Sequence, residues 1–203
     1  MAHLNQVCGN HWLTCIRLYV CFTDFKKAFD LVDRNTLWLI LKKNGIRGKM
    51  YKAVKSMYDV KARVRVGSDL TEAIMCSRGL KQENSCSPVL FSLLLNEIAN
   101  EIVLKGKHGI TLSPDILQIL IMLFADDVVL LSNTIVGIQQ QLSVLRDRAE
   151  RLHLVVNFDK SQVVIFRKGG YIAAREKWFY DCIKLKSFNH YKYFHWLNIF
   201  VGA

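Results

Sequence analysis

Proline is nearly absent, with only Pro88 and Pro114 in 203 residues. No Gly/Ser-rich linker, low-complexity tract or repeat of solenoid period interrupts the chain, so no internal domain boundary is marked and one compact unit is expected. Acidic residues are scarce, 17 against 28 Lys and Arg, for a formal charge of +11. A field of that sign favours a polyanion. Cysteine pairing motifs are missing: Cys8, Cys15, Cys21, Cys76, Cys86 and Cys182 form no CxxC pair. Arg17 also interrupts the apolar stretch near the N-terminus, so no secretory leader is read there. A reduced, intracellular protein of the nucleus or cytoplasm is expected, not a secreted one. His3, Cys8, His11 and Cys15 lie close in sequence, but at spacings that match no common zinc knuckle. The longest apolar run, Ile116 to Leu131, is cut by Gln118 and by Asp126-Asp127. A membrane span there would bury two carboxylates at several kcal/mol, which argues against a membrane protein.

Apolar residues make up 51% of the chain, enough for a substantial core and against global disorder. The positive charge is concentrated: Lys42, Lys43, Arg47, Lys49, Lys52, Lys55, Lys61, Arg63 and Arg65 face only Asp59 over the same stretch. That pattern fits either a nucleic-acid track or solvated helix faces. Leu18 to Phe22 reads as a buried strand that delivers Asp24 at its C-terminal end. Helices are expected over Thr36 to Lys43, with Asn35 as N-cap and Asn44-Gly45 as stop, and over Lys49 to Tyr58. A hairpin with a basic polar face follows, Val64 and Val66 alternating with Arg63 and Arg65, then Gly67-Ser68-Asp69 and Glu72 to Cys76. Ser87-Pro88 starts a core helix, because serine can cap free amides and proline suits the first helical position. Strands over Ile119 to Phe124 and Val128 to Leu131, a helix from Ile135 to Leu152 capped by Thr134, and strands at Val155-Val156 and Val163 to Phe166 complete the reading. The expected class is α+β, a ferredoxin-like split βαββαβ sheet with helices packed on one face.

That architecture hosts many functions, so the site has to decide. Asp126-Asp127 sits inside an apolar hairpin, where Asn-Gly or Asp-Gly would be the ordinary turn and where unpartnered carboxylates are costly. A solvated turn is the plain alternative. The first strand of this topology lies beside the central hairpin, so Asp24 is expected at the same sheet edge. Three aspartates there suit Mg²⁺, a hard cation that takes oxygen ligands together with substrate phosphates. Two such ions about 4 Å apart can assist an in-line phosphoryl transfer.

Leu18 to Asp30, LYVCFTDFKKAFD, resembles the first palm motif of LINE-type (non-LTR retrotransposon) reverse transcriptases, and Phe124-Ala125-Asp126-Asp127 matches their FADD signature. The same family pattern continues in Arg78-Gly79-Leu80-Lys81-Gln82, Ser87-Pro88-Val89-Leu90-Phe91 and Val156-Asn157-Phe158-Asp159-Lys160-Ser161, covering roughly Leu18 to Lys168 in order. The resemblance implies a polymerase palm that performs two-metal nucleotidyl transfer to a primer 3′-hydroxyl. RNA template, DNA primer and deoxynucleoside triphosphates are the implied partners, and two Mg²⁺ ions, with Mn²⁺ as a substitute, the implied cofactor. By position Asp24, Asp126 and Asp127 would hold metal. Phe29 would be the aromatic gate against a ribose 2′-hydroxyl, the atom separating RNA from DNA building blocks. Gln82 would lie near the incoming nucleotide, and Lys160 would protonate the leaving pyrophosphate.

Departures from the family pattern accompany these matches. Glu83 stands where the family has glycine after the glutamine, and Phe188-Asn189-His190-Tyr191-Lys192-Tyr193-Phe194-His195 only loosely resembles its F-x-Y-L-G primer grip. Residues 1–17 read as a divergent segment too short for the fingers, 18–168 as the palm, and 169–203 as a poorly matched extension at the palm/thumb junction. The implied protein is a truncated, partly degenerate copy. A catalytically inactive remnant that binds nucleic acid non-specifically is the alternative. Another two-metal palm enzyme, such as a cyclase, fits the fold but not Gln82 and Ser87-Pro88.

Overall fold

Alternation along the first strand decides the layering. In a computed structural model that describes residues 17–105, 108–110, 118–167 and 172–188, Tyr19 and Cys21 face one hydrophobic cluster while Leu18 and Val20 face another. A strand of period two places successive side chains on opposite faces, so both faces of this sheet are apolar. The zinc-like His/Cys group at residues 3–15 and the primer-grip-like stretch beyond Phe188 lie outside the described residues.

The elements are β1 (Leu18–Thr23), α1 (Arg34–Lys43), α2 (Gly48–Tyr58), β2 (Lys61–Ala62), β3 (Arg65–Val66), β4 (Asp69–Leu70), β5 (Ile74–Met75), α3 (Ser87–Lys105), β6 (Ile121–Phe124), β7 (Asp127–Ser132), α4 (Ile135–Arg151), β8 (Gln162–Phe166), β9 (Phe179–Tyr180), β10 (Ile183–Lys184) and β11 (Lys186–Phe188). Five strands form one sheet in the order β11-β8-β1-β7-β6. β1 pairs antiparallel with both β7 and β8, β6 pairs antiparallel with β7, and β11 adds to β8 in parallel. Without β11 this is the expected split βαββαβ order, with α3 and α4 as the two crossover helices. Leu90, Phe91, Leu94, Leu95 and Ile98 of α3 and Ile138, Leu142 and Leu145 of α4 fill the main core, while among the described residues no helix residue joins the second cluster. Helices therefore pack on one face.

Local chemistry sets the helix ends. Asp33, not Asn35, caps α1: its carboxylate accepts from the N–H groups of Asn35 and Thr36 at 3.3 and 3.1 Å and from the Thr36 hydroxyl at 2.7 Å. Those bonds, the Thr36 hydroxyl first, hold the Asp33 pKa below its ordinary value. Thr134 caps α4 through Gly137 N–H, as its sequence position suggests. α3 has the length and apolarity to cross a membrane by composition alone. One side of it is core, and its buried Glu97 takes Lys43 at 2.8 Å and Arg148, which ties α1 and α4 to α3. Removing either cation would leave a buried carboxylate short of a partner, the costly case for ion pairs.

The expected strand at Val155-Val156 is reduced to a single bridge, Phe25 with Val156. The expected single hairpin is instead a jointed arm, β2 paired with β5 and β3 with β4, exposed along its whole length. Beyond β8, Trp178 and Leu185 enter the core, and buried Glu176 accepts from Tyr19 Oη at 3.1 Å and Arg167 Nη1 at 3.0 Å, which fastens this segment to the first strand.

Candidate active site

The ladder between β1 and β7 ends at Thr23 opposite Val128, so Asp24 and Asp127 are the next residues on two neighbouring strands. Asp126 lies in the two-residue turn between β6 and β7, whose ladder closes with Phe124 opposite Asp127. The turn is tight enough to put Ala125 at φ +54°, a left-handed conformation that favours glycine. The segment 157–161 brings Lys160, whose Nζ lies 3.9 Å from Asp24 Oδ2. Asp24 is 21% exposed and Lys160 68%, a half-sheltered carboxylate beside a solvent-facing cation. Asp24, Asp126, Asp127 and Lys160 thus meet at one sheet edge.

Their mutual charge is visible in Asp127, whose pKa is pushed up to about 6 by burial, then by Asp126 and Asp24, against the opposing pull of Lys160. One lysine does not balance three carboxylates. Among the described residues no three His, Cys, Asp or Glu side chains are placed so as to hold a metal ion. An all-carboxylate, electron-rich edge of this kind fits a hard divalent cation that keeps water or phosphate oxygens in its shell.

The sign of the linkage gives a first expected result. Because the folded pKa of Asp127 lies above its ordinary 3.8, this group's contribution to stability is complete below about pH 4 and is lost as pH rises through about 6. In metal-free protein, Asp127→Asn should raise the melting temperature at about pH 8 and change it little at about pH 4. Thermal melts in chelator at the two pH values check this, and an equal shift at both would contradict it.

Phe29 and Gln82 meet elsewhere, at a cavity of about 450 Å³ lined also by Lys81, Glu83, Asn84, Ser85, Ser87 and Pro88. Phe29 is half-buried and stacked on Phe91, ring centroids 4.9 Å apart. Gln82 is exposed and donates from Nε2 to Asp30 Oδ1 at 3.0 Å. The cavity is in the size range of small-molecule sites. Sequence reasoning assigned no role to Arg34, a buried guanidinium that donates to the carbonyls of Gly79 and Tyr58, both at 2.8 Å, and of Cys76. It fastens the cavity loop to α2 and to the foot of the arm. Gly79, at φ +82°, passes so close to Asp30 that a Cβ would stand 2.8 Å from its carbonyl oxygen. Neither role leaves a periodic signal in sequence.

Three carboxylates at the edge of a split βαββαβ sheet, with the apolar FADD turn presenting two of them, are joined by a match over nearly the whole chain. Residues 12–198 fit the family model described as reverse transcriptase (RNA-dependent DNA polymerase). The chain belongs to the reverse transcriptase family. Its reverse transcriptase domain is of the non-LTR retrotransposon kind. It is 28% identical over 184 residues to a retrovirus-related Pol polyprotein from the type-1 retrotransposable element R2 of Popillia japonica, covering 88% of this chain and 26% of that protein. It is 30% identical over 127 residues to the R2 polyprotein of Nasonia vitripennis, covering 62% of this chain and 12% of that one. The type-2 element R2DM of Drosophila melanogaster gives 29% identity over 155 residues, 74% of this chain and 14% of its polyprotein. The chain therefore spans about a quarter or less of these relatives. A solved apo telomerase from Candida tropicalis, truncated from its C-terminal domain, superposes with a TM-score of 0.56 over 91% of this chain and 38% of that one, at 15% identity. That likeness is one of fold, the polymerase palm. Divalent metals are used by this reverse transcriptase family in general.

Proposed function

We propose that this domain catalyses RNA-directed DNA synthesis, adding deoxynucleotides to a primer 3′-hydroxyl. The observation that carries the reading is the convergence of Asp24, Asp126, Asp127 and Lys160 at one edge, with Asp127 pushed up to about 6 by burial and the accumulated negative charge. The three aspartates are the residues to hold Mg²⁺, with Mn²⁺ as substitute; a bound pair of ions lowers the pKa of the attacking hydroxyl and offsets charge on the leaving pyrophosphate. Lys160, largely exposed and held near Asp24, is suited to give a proton from Nζ to that leaving group. The Phe29 ring, backed by Phe91, cannot yield easily to a ribose 2′-hydroxyl, and Gln82 on the same cavity wall offers an amide to the incoming nucleotide.

RNA template and DNA primer are the proposed partners, and α2 supplies a surface for them. Lys49, Lys52 and Lys55 recur every three residues on an exposed helix and, with Arg47, Lys61, Arg63 and Arg65, form no ion pair among the described residues. Such cations are available to phosphates, and each phosphate neutralised releases counterions. Replacing the three lysines by glutamine should reduce the slope of log affinity against log salt by roughly one unit for each phosphate that is no longer neutralised, without changing sequence preference. A binding titration at several salt concentrations reads this, and an unaltered slope would place the track elsewhere.

The test of the function is primer extension on an RNA template with Mg²⁺ and dNTPs. Template-dependent incorporation that disappears when the metal is chelated is expected. A chain that binds duplex yet incorporates nothing would favour the inactive, nucleic-acid-binding reading.

A further inference from the structure

Asn157 holds Asp24 twice. Its backbone N–H donates to the Asp24 carbonyl and its side-chain Nδ2 donates to Asp24 Oδ2, both at 2.8 Å. Around the same turn, the Asn157 carbonyl accepts from the N–H groups of Lys160 and Ser161 at 3.2 and 2.9 Å, and Ser161 Oγ accepts from the Asp24 N–H at 3.2 Å. The segment is thereby closed on the end of β1. Lys160 and Asn157 both approach Oδ2, and among the described residues no hydrogen bond or ion pair reaches Oδ1.

We propose that Asn157 is a positioning residue: it fixes the rotation of the Asp24 carboxylate so that Oδ1 stays open toward a divalent cation shared with Asp126 and Asp127. This rests on reading the three aspartates as the metal-holding group. The residue type fits the task. A neutral amide donates a strong hydrogen bond to a carboxylate without competing for it as a second cation would. An aspartate at 157 would add negative charge to an edge where Asp127 is already pushed up by its neighbours. Outer partners that orient metal-ligating side chains typically affect metal affinity tenfold to a hundredfold.

Ser161 supplies the control, because it anchors the same turn through the Asp24 backbone and leaves the carboxylate untouched. In the full chain, Mn²⁺ binding followed by electron paramagnetic resonance should show Asn157→Ala raising the apparent Kd roughly ten- to a hundredfold. Ser161→Ala should lower the metal-free melting temperature and leave Mn²⁺ affinity near that of the parent. In primer extension, Asn157→Ala should lower kcat at limiting Mn²⁺, recover with excess Mn²⁺, and leave the KM for dNTP unchanged. Asn157→Ser, whose hydroxyl is too short to reach Oδ2, reads the same quantities if the alanine variant does not fold. Unchanged Mn²⁺ affinity in the Asn157 variants, or an equal loss in Ser161→Ala, would overturn the proposal and leave a simple tether. Absence of Mn²⁺ binding by the parent would overturn the metal reading together with it. A parent that binds Mn²⁺ in an Asn157-dependent way but extends no primer supports the positioning role and removes the polymerase reading alone.

Discussion

Asp126→Asn is expected to lower template-directed dNTP incorporation by roughly a hundredfold to a thousandfold, the scale on which losing one charge-stabilising group acts on a transition state. The same change should leave the metal-free protein as stable as the parent, or more so, near neutral pH. Both effects have one cause. Asp126 lies in the turn and is, after burial, the largest influence pushing Asp127 up to about 6, so its charge works against the folded chain when no cation is present. With divalent metal the relation reverses, because a ligand bound only by the native state stabilises it in proportion to occupancy. The parent should therefore melt at a higher temperature in millimolar Mg²⁺ or Mn²⁺, and Asp126→Asn should lose most of that rise. Opposite signs with and without metal separate a working carboxylate cluster from a structural one. Incorporation equal in parent and variant, with no metal-dependent shift in either, would leave only the remnant reading.

The opposed signs explain why the aspartates were legible in sequence. Two acids in an apolar hairpin contradict local turn chemistry, and such contradictions concentrate at functional sites. Elements with a strong local signal are legible too: the start of α3 at Ser87, although Ser87 is the first helical residue and its hydroxyl donates to the Lys81 carbonyl instead of capping, the Thr134 cap, and the apolar run of β1 that delivers Asp24. Asp33 displaced Asn35 as the α1 cap because both are good capping types close before Thr36, and only the backbone shows which side chain meets the free amides. Residues 179–188 fall within the poorly matched extension, 169–203, and are not legible as strands, because β9 to β11 are short and carry little periodicity and the parallel pairing of β11 with β8 depends on residues distant in sequence. Asn157 was visible as a motif letter, yet its bond to Asp24 spans 133 residues. The cavity around Phe29 and Gln82 is likewise assembled across more than fifty positions, by Gly79 and Leu80 N–H donating to the Val32 and Phe29 carbonyls at 2.9 and 2.7 Å.

Glu83→Gly should raise incorporation by roughly tenfold to a hundredfold without loss of stability. Glu83 stands where the resemblance to LINE-type reverse transcriptases implies glycine, and its φ is +65°, the left-handed region that costs a residue with a Cβ about 1–2 kcal/mol. The backbone thus keeps a conformation suited to glycine while carrying a glutamate. Restoring glycine relieves that strain, which offsets the greater freedom glycine gains in the unfolded chain. The side chain is exposed, lines the cavity with Phe29 and Gln82, and meets no cation among the described residues. Its charge therefore faces any triphosphate entering that cavity. At about 4 Å and an effective dielectric near 20, one such like-charge approach is worth on the order of 4 kcal/mol, and solvent and salt at an exposed position reduce it to the range of one to two decades in affinity or rate. Glu83→Gln separates the two contributions, since it removes the charge and keeps the Cβ. If charge dominates, the glutamine variant recovers most of the incorporation while its melting temperature stays near that of the parent; if backbone strain dominates, only the glycine variant gains, and it gains in melting temperature as well. Steady-state incorporation against dNTP concentration, with parallel melts, distinguishes these outcomes. No gain in either variant would show that Glu83 is not what limits this chain.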